Sequence, residues 1–385
     1  MAPWYLATPA DAAGSDFEFV CAYRLKWLAV VHTMLPALPP YQALSAAAER
    51  GDGLRETDAR QIDIDLARSD VEQLQLSEED TPIHRAALRK LLRAWCVLRP
   101  DWGYSQAMNF IAAVMLAVAG HEESTAFNLF VGLIERLPPE FYAEAPPLRG
   151  FQVEVQILMT VLEARCGKLL GAADGAAREA LPLIACKWFL NLFVDTLPLP
   201  SLLAVWDAIL VVAPKAPNTS EDAAAGAEAA APAALGAASD AVEVDAEAMA
   251  VRTAPPEVLG AAEVEEGVSV LAASPSGRFA TSGPPTEQLL RVSVALLTIY
   301  QDEVLHALKQ PEADASTAYA ALLTLGSDLT PLAVTQAAAA VDLDASLVVA
   351  LRSSACEQME AADAAEISVS GSTSWTPATP ARAWA

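Results

Sequence analysis

The chain has 385 residues with 24 basic and 49 acidic side chains, and its formal net charge at pH 7 is -25. This charge argues against binding nucleic acid, which requires Lys and Arg to neutralise phosphates, and against docking on anionic lipid by charge alone. There is no run of about 20 uncharged apolar residues, so no transmembrane segment is expected. The first 19 residues lack the basic and apolar regions of a signal peptide, so we expect a cytoplasmic protein.

The cysteines and histidines do not suggest a metal site. Five cysteines lie far apart without a CxxC pair, and none of the four histidines has Cys, Asp or Glu at ligand spacing. Scattered thiols in a long chain are typical of reduced, mostly buried cysteines in the cytosol. We therefore expect no zinc site.

The clearest helical pattern covers residues 84–99. Its apolar residues recur at steps of three and four, which predicts one buried stripe made of Leu88, Leu91, Leu92, Trp95 and Leu98. The opposite side is basic and carries Arg85, Arg89, Lys90 and Arg93. This basic side is either a solvated helix face or a docking patch.

More apolar helices follow up to residue 212. The stretch MNFIAAVMLAVAG predicts a helix that is buried on every side. STAFNLFVGLIERLPP predicts a helix capped by Ser124 or Thr125, and FQVEVQILMTVLEARCG predicts a helix that Gly167 stops. Two further helices are expected in LPLIACKWFLNLFVDTL and PLPSLLAVWDAILVV. Alternating strand patterns are scarce, so the predicted fold is all-α.

The composition changes over residues 213–285, which hold three basic and eleven acidic residues and almost no aromatic ones. Such a segment cannot bury enough apolar surface to offset the entropy of ordering, and we predict a long disordered acidic insertion. Helical patterns resume over 286–308, 317–325 and 329–359. We therefore divide the helical domain between residues 38–212 and 286–360, with an uncertain segment over 1–37 and a flexible tail over 361–385.

A candidate functional residue, Arg68, ends the stretch QIDIDLAR. Ile62, Asp65 and Arg68 follow one another at steps of three, so we expect them to share one helix face. Asp65 would then hold the Arg68 guanidinium in an ion pair. The alternative is an ordinary surface pair with no further role.

A second candidate, Gln106, stands in DWGYSQAMNF, between Gly103 and the apolar helix. A turn at this place would present Gln106 at the N-terminus of a helix that is fixed in the core. The alternative is a glutamine that only bonds the local backbone.

An arginine and a side-chain amide are poor acids, bases and nucleophiles, but they have a joint use in hydrolysing the γ-phosphate of a nucleotide. The guanidinium stabilises the negative charge of the transition state, and the amide orients the attacking water. The chain has no GxxxxGK[ST] loop to bind a nucleotide itself. A partner protein would therefore supply the nucleotide and its Mg²⁺.

At these residues the sequence resembles a known family. IDIDLAR matches the IxxDxxR motif, and GYSQAMN the YxQGM motif, of the TBC domain of Rab GTPase-activating proteins. PPLRGFQVEVQIL, KWFLNLFVDTLPLPSLLAVWDAIL and LLRVSVALLTIYQDEVL resemble the later helices of that domain in the same order. The resemblance covers roughly residues 38–310, interrupted by the acidic insertion.

The resemblance implies a two-lobed, V-shaped, all-α domain with a dual-finger mechanism. Arg68 would be the arginine finger, and Gln106 would replace the water-positioning glutamine of the GTPase. The implied supporting residues are Asp65, which orients Arg68, Tyr104, which shapes the glutamine loop, Ile62 and Met108. The implied partner is a GTP-bound Rab GTPase, which brings its own GTP and Mg²⁺, so no cofactor is expected in this chain. The implied setting is vesicle traffic, in the cytoplasm or peripherally on endomembranes.

The sequence departs from the family at two places. Ala107 stands where the family has glycine, and its methyl group would cost activity if the position needs a positive φ or a close approach to the nucleotide. The opening segment of the family is matched only loosely, by Arg24 and Trp27 in YRLKWLAVV. Trp188, Trp206 and Asp207 also match family positions, and we expect them to be structural.

Three interpretations remain open. The first is a GTPase-activating protein that supplies two side chains to a Rab GTPase. The second is a catalytically silent TBC module that binds a Rab as a scaffold in membrane traffic; the presence of both finger residues argues against it, and Ala107 keeps it open. The third is an unrelated helical interaction protein with coincidental motifs.

Overall fold

A computed structural model describes residues 15–369 of the protein, except 70, 75, 145–146, 212–286 and 311. Every regular element among these residues is helical, as predicted. Fifteen α-helices are described: α1 (Ser15–Met34), α2 (Tyr41–Arg50), α3 (Glu56–Leu66), α4 (Asp80–Leu98), α5 (Met108–Val118), α6 (Glu123–Ile134), α7 (Arg149–Arg165), α8 (Gly167–Leu170), α9 (Ala176–Leu190), α10 (Leu199–Val211), α11 (Glu287–Ile299), α12 (Gln301–Ala307), α13 (Ala315–Leu323), α14 (Pro331–Ala340) and α15 (Ala345–Val369).

Helix α5 forms the centre of the first half of the chain. It contacts α1, α3, α4 and α6, and each of its residues except Phe110 is buried. The prediction of a helix buried on every side is confirmed. Because four helices enclose α5, the turn that precedes it is attached directly to the core.

Helix α4 buries the predicted apolar stripe. Leu88, Leu91, Leu92 and Trp95 are all inaccessible to solvent. Leu98 is only partly buried, because it is the last residue of the helix. The stripe packs against the core, and the basic residues of α4 lie on its outer side or its margins.

Two predicted helix ends were wrong. Neither Ser124 nor Thr125 caps α6. The carboxylate of Glu122 does so instead, accepting hydrogen bonds from the backbone N–H groups of Ser124 and Thr125 at 3.1 and 2.6 Å. Gly167 does not stop α7, because that helix already ends at Arg165 and Gly167 begins the short helix α8.

Helix α1 is joined to α10 by two side-chain bonds to one carboxylate. Trp27, which is fully buried, donates from its indole to Asp207 at 2.9 Å, and Lys26 donates to the same group at 2.7 Å. The loosely matched segment YRLKWLAVV therefore packs on the domain. Trp188 and Trp206 are buried, and Trp206 donates to the Leu192 carbonyl at 3.0 Å. The structural roles predicted for these aromatics and for Asp207 are confirmed.

The last helix, α15, continues to Val369, so residues 361–369 are helical although the sequence predicts a flexible tail from 361. The predicted acidic insertion, 213–285, lies outside the described residues. Among the described helices, none is by itself both long and apolar enough to span a membrane. Residues 331–340 and 345–363 pass that test only as a pair, with a bend of 81° between them. The four cysteines whose side chains are described are unpaired.

Candidate functional site

Arg68 lies just beyond the end of α3, in an exposed position. The helix ends at Leu66, and the next turn is closed by the backbone N–H of Arg68, which donates to the Asp65 carbonyl at 2.9 Å. The Ser69 hydroxyl donates to the same carbonyl at 2.8 Å. Ser69 is buried and Arg68 is exposed, so the loop is anchored by its buried neighbour while the guanidinium reaches solvent.

The predicted ion pair between Asp65 and Arg68 was wrong. Asp65 is only 3% exposed, and its two carboxylate oxygens accept from the Gln61 amide at 3.1 Å and from the Tyr104 hydroxyl at 2.9 Å. Arg68 forms no ion pair with any residue that the structure describes. The helix ends before Arg68, so the guanidinium is not carried on the buried face that holds Asp65.

Burial is the largest influence on Tyr104, and the charge of Asp65 is the next. Together they raise the pKa of Tyr104 well above its ordinary value. The hydroxyl therefore stays protonated and keeps donating to Asp65 throughout the physiological range. Tyr104 precedes Gln106 by two residues, and Asp65 precedes Arg68 by three. This bond therefore connects the arginine loop, which lies between α3 and Glu72, to the glutamine loop, which lies between α4 and α5.

Gln106 is exposed in the turn directly before α5. The start of the turn is fixed by Trp95, whose indole donates to the Gly103 carbonyl at 2.9 Å. Its end is fixed because α5 begins at Met108 and is buried from its first residue. The prediction that Gln106 stands at the N-terminus of a core helix agrees with this geometry.

A second bond between the loops comes from Asn109, which the sequence reasoning missed. Asn109 is 1% exposed. Its amide oxygen accepts from the Ala107 backbone N–H at 3.1 Å, and its amide nitrogen donates to the Ser69 hydroxyl at 2.9 Å. A polar side chain in the first turn of an otherwise apolar helix was the available signal, because buried amides need partners.

The two bonds flank the candidate fingers on both sides. Arg68 lies between Asp65 and Ser69 in the chain, and Gln106 lies between Tyr104 and Asn109. The Asp65–Tyr104 and Ser69–Asn109 bonds therefore tie the two loops together before and after the exposed residues. Arg68 and Gln106 are thus brought to neighbouring loops, both with solvent-exposed side chains.

The start of α3 also approaches the glutamine loop closely, where the Arg55 side chain lies against Gly103. Gly103 has φ +61°, and a methyl group there would collide with the Arg55 guanidinium. Arg55 is itself held by Asp58 at 2.8 Å and by Glu144. Glycine is needed here both for its backbone conformation and for the close approach of Arg55.

The far side of the arginine loop is held by Gln73, in a 3₁₀ turn over Glu72–Leu74. Its amide donates to the carbonyls of Val194 and Leu197 at 2.8 and 3.0 Å. Leu192 and Phe193, in the same segment, both have positive φ, at 46° and 66°. Gln73 therefore fastens the arginine loop to the turn between α9 and α10.

Ile62 and Met108, the other predicted supporting residues, are both fully buried. The Met108 sulfur accepts from the Ser105 backbone N–H at 3.5 Å. Their contribution is to hold α3 and the start of α5 in the core beneath the loops, and they do not reach solvent.

Ala107 adopts a backbone conformation that is unfavourable for a residue other than glycine. Its φ is 93° and its ψ is -26°, in the left-handed region, and it is 5% exposed. A residue with a Cβ atom is strained there by about 1–2 kcal/mol. The condition under which the methyl group was expected to matter, a positive φ, is met.

Comparison with known proteins gives the same family as these motifs. Residues 46–219 match the family model of the Rab-GTPase-TBC domain. Over 189 residues the chain is 36% identical to TBC1 domain family member 2A of Mus musculus, covering 48% of this chain and 19% of that protein. Over 175 residues it is 29% identical to growth hormone-regulated TBC protein 1 of Homo sapiens, covering 44% of this chain and 48% of that protein.

Among solved structures, the fold is similar to the crystal structure of the Chlamydomonas flagellar RabGAP TBC domain. The TM-score is 0.51 at 18% identity, over 86% of this chain and 85% of that chain. This likeness shows the shared fold. Residues 46–219 are therefore similar to the Rab-GTPase-TBC domain in sequence, and the chain shares the fold of the Chlamydomonas domain. The chain spans less than half the length of each of the two curated relatives described above.

Proposed function

We propose that this protein accelerates GTP hydrolysis by a Rab-type small GTPase, with Arg68 and Gln106 both entering the nucleotide pocket of the partner. The guanidinium of Arg68 stabilises the charge that spreads over the phosphoryl oxygens in the transition state. The Gln106 amide accepts from and donates to the attacking water and aligns it with the γ-phosphate. Neither side chain changes its protonation state.

One observation supports this proposal most strongly. An exposed arginine and an exposed glutamine lie on two loops that a part-buried and a buried hydrogen bond tie together, one on each flank. Positions fixed in this way lower the entropy cost of bringing both groups to one transition state. A surface arginine and glutamine without a joint role would not need such support.

The expected rate effect is large enough to be measured directly. An arginine finger supplied in trans is worth about 10³–10⁵ in rate, or roughly 4–7 kcal/mol of barrier. We expect wild-type protein to accelerate phosphate release from at least one member of a panel of GTP-loaded Rab proteins. Arg68→Ala and Gln106→Ala should each return the rate to near the intrinsic value.

Matched controls come from exposed residues of the same types elsewhere in the chain. Arg178→Ala, on α9, and Gln310→Ala, after α12, remove an exposed guanidinium and an exposed amide outside the two loops. Both should activate like wild type. Acceleration that persists in Arg68→Ala, or that Arg178→Ala abolishes equally, would refute the proposal.

The second candidate function is a catalytically silent TBC module that binds a Rab. The observation that favours it is the strained backbone of Ala107, directly beside Gln106, with φ 93°. In that case a GTP-loaded Rab would form a complex with the protein without faster hydrolysis. Binding would then be indifferent to Gln106→Ala.

A further inference from the structure

Two arginines of α3 and its following turn differ from most of the arginines around them. The exposed side chains of Arg60 and Arg68 make no hydrogen bond or ion pair with any residue that the structure describes. By contrast, Arg55 at the start of the same helix is paired with Asp58, and Arg89 and Arg93 of α4 are both paired with Asp63. Acidic groups are abundant in a chain of net charge -25, so two guanidinium groups without a carboxylate partner stand out.

Three carboxylates of α3 that lie near them in sequence are engaged elsewhere. Asp58 pairs with Arg55, and Asp63 pairs with the arginines of α4. Asp65 accepts from Gln61 and Tyr104. The three acidic groups of α3 beyond its first residue thus bond to other partners and leave Arg60 and Arg68 open to an outside one.

An exposed apolar side chain lies between the two arginines. Ile64 is 45% exposed, which makes it one of the few large hydrophobic residues with a substantial exposed surface. Arg60 and Ile64 are four residues apart and lie on one side of α3. Arg68 follows in the turn after the helix ends at Leu66. We call these three residues the α3 stripe.

We propose that the α3 stripe is a docking surface for the GTPase, on which Arg60 meets a carboxylate and Ile64 an apolar side chain of the partner. This inference rests on the proposed function and extends it, by assigning the residues that determine affinity as distinct from those that act on the phosphate. Arg60 and Ile64 contribute binding energy, and Arg68 contributes to the transition state.

The geometry favours the GTPase as the occupant over a lipid surface. Arg60 and the last residue of α3, Leu66, are about 9 Å apart along the helix at 1.5 Å per residue, and Arg68 lies two residues further on. A standard protein interface covers about 800 Å² on each partner, which is roughly 30 Å across. If Arg68 enters the partner, Arg60 and Ile64 therefore lie within the area that the partner covers. Charge complementarity then requires an acidic group opposite Arg60.

The test separates affinity from catalysis in the full chain. Arg60→Glu and Ile64→Asp should each raise KM for the GTP-loaded Rab about tenfold and leave kcat within about twofold. Arg68→Ala should instead lower kcat. The KM of the wild type should rise with salt concentration, and this dependence should weaken in Arg60→Glu.

The controls are exposed side chains of similar type outside the stripe, although Arg178, unlike Arg60, is paired with Glu163. Leu183 of α9 is 46% exposed, close to Ile64, so Leu183→Asp tests the effect of a new surface charge alone. Arg178→Glu reverses the charge of an exposed arginine outside the stripe. Both controls should keep the KM of the wild type. Equal thermal melting of all four variants would show that the changes are not caused by unfolding.

Binding separates failure of the stripe from failure of the proposed function. Rab proteins loaded with a non-hydrolysable GTP analogue are titrated with the double variant Arg68→Ala, Gln106→Ala, alone and combined with Arg60→Glu or with Ile64→Asp. Binding that Arg60→Glu weakens supports the stripe even if no Rab is accelerated. Unchanged KM and Kd in both stripe variants overturn it. Absence of binding to every Rab, or loss of sedimentation with phosphatidylserine vesicles in Arg60→Glu at unchanged KM, overturns it as well.

Discussion

Polar side chains are buried in two regions of the molecule, and their hydrogen bonds differ. One region is the pair of arginine and glutamine loops. The other is a cluster of two ion pairs between α7, α11 and α15, Glu154 with Arg352 and Glu287 with Arg291. Beside the two loops, each carboxylate oxygen of Asp65 accepts from its own neutral donor. The amide of Asn109 accepts through its oxygen and donates through its nitrogen. In the cluster, Glu154 is fully buried and accepts from Arg352 at 2.6 Å through one oxygen only. Within the described structure its other oxygen has no hydrogen-bond partner.

The cluster therefore holds charge at a desolvation cost, whereas the loops position backbone through hydrogen bonds to neutral donors. Burial raises the pKa of Glu154 above its ordinary value, although Arg352 opposes the shift. Glu287, also fully buried, has its cation Arg291 at 3.7 Å. The two regions therefore differ in what they hold: the loops position Arg68 and Gln106, and the cluster affects how the fold responds to substitution and pH.

The largest expected effect on stability is at the cluster. Glu154→Ala removes the buried carboxylate that accepts from Arg352, so the free energy of unfolding should fall by about 3–5 kcal/mol. Glu163→Ala, on the same helix, breaks the exposed pair with Arg178 and should cost less than about 1 kcal/mol. Urea denaturation of both variants measures the difference, and equal losses would contradict the account of the cluster.

The next effect is at Asn109. Asn109→Ala leaves the Ala107 N–H and the Ser69 hydroxyl without their buried partner, which should lower the free energy of unfolding by about 2 kcal/mol. Activation of the GTPase should fall about tenfold or more, because the loops lose one of their two flanking bonds. Ser293→Ala removes a buried hydroxyl that bonds only within α11 and serves as the control. Full activity in Asn109→Ala would show that the bond between Asn109 and Ser69 does not position Arg68 and Gln106.

A smaller effect, of opposite sign, is expected at Ala107. Ala107→Gly relieves the positive φ and should raise the free energy of unfolding by about 1 kcal/mol. Ala113→Gly, in the interior of α5, should instead lower it by about 1 kcal/mol. Phosphate release by the Ala107→Gly variant should be at least that of the wild type. A loss of stability in this variant would mean that the left-handed conformation carries no strain.

The smallest effect is the pH dependence of stability. The folded-state pKa of Glu154 is raised, so the folded protein binds its proton more tightly than the unfolded chain does. The contribution of this group is therefore most favourable below the unfolded pKa of about 4.3 and falls as pH rises toward the folded value. Glu154→Gln should flatten the wild-type curve of unfolding free energy in that window. Superimposable slopes would show that the buried carboxyl does not titrate there.

The sequence predicted the parts of this structure that depend on local periodicity. The buried stripe of α4 and the all-round burial of α5 follow from apolar spacing, and the exposure of Arg68 and Gln106 agrees with their motifs. The partner of Asp65 was predicted wrongly, because the end of α3 at Leu66 is not marked by a glycine or proline.

The bonds that tie the loops could not be predicted from spacing. Asn109 and Ser69 are 40 residues apart, and Gln73 and Val194 are 121 apart. Such pairs form only when helices from distant parts of the chain pack together, and no local pattern encodes them. The strain at Ala107 could be predicted from the sequence only conditionally, because the identity of a residue does not determine its φ.

The most direct test of the central claim, that Arg68 and Gln106 act in one partner active site, is a double-mutant cycle. Single-turnover GTP hydrolysis by the responsive Rab is measured with wild type, Arg68→Ala, Gln106→Ala and the double variant. Because groups that act as a unit are not additive, the double variant should be hardly slower than either single variant. Effects that multiply, or a single substitution that leaves the rate unchanged, would contradict a joint action of the two side chains.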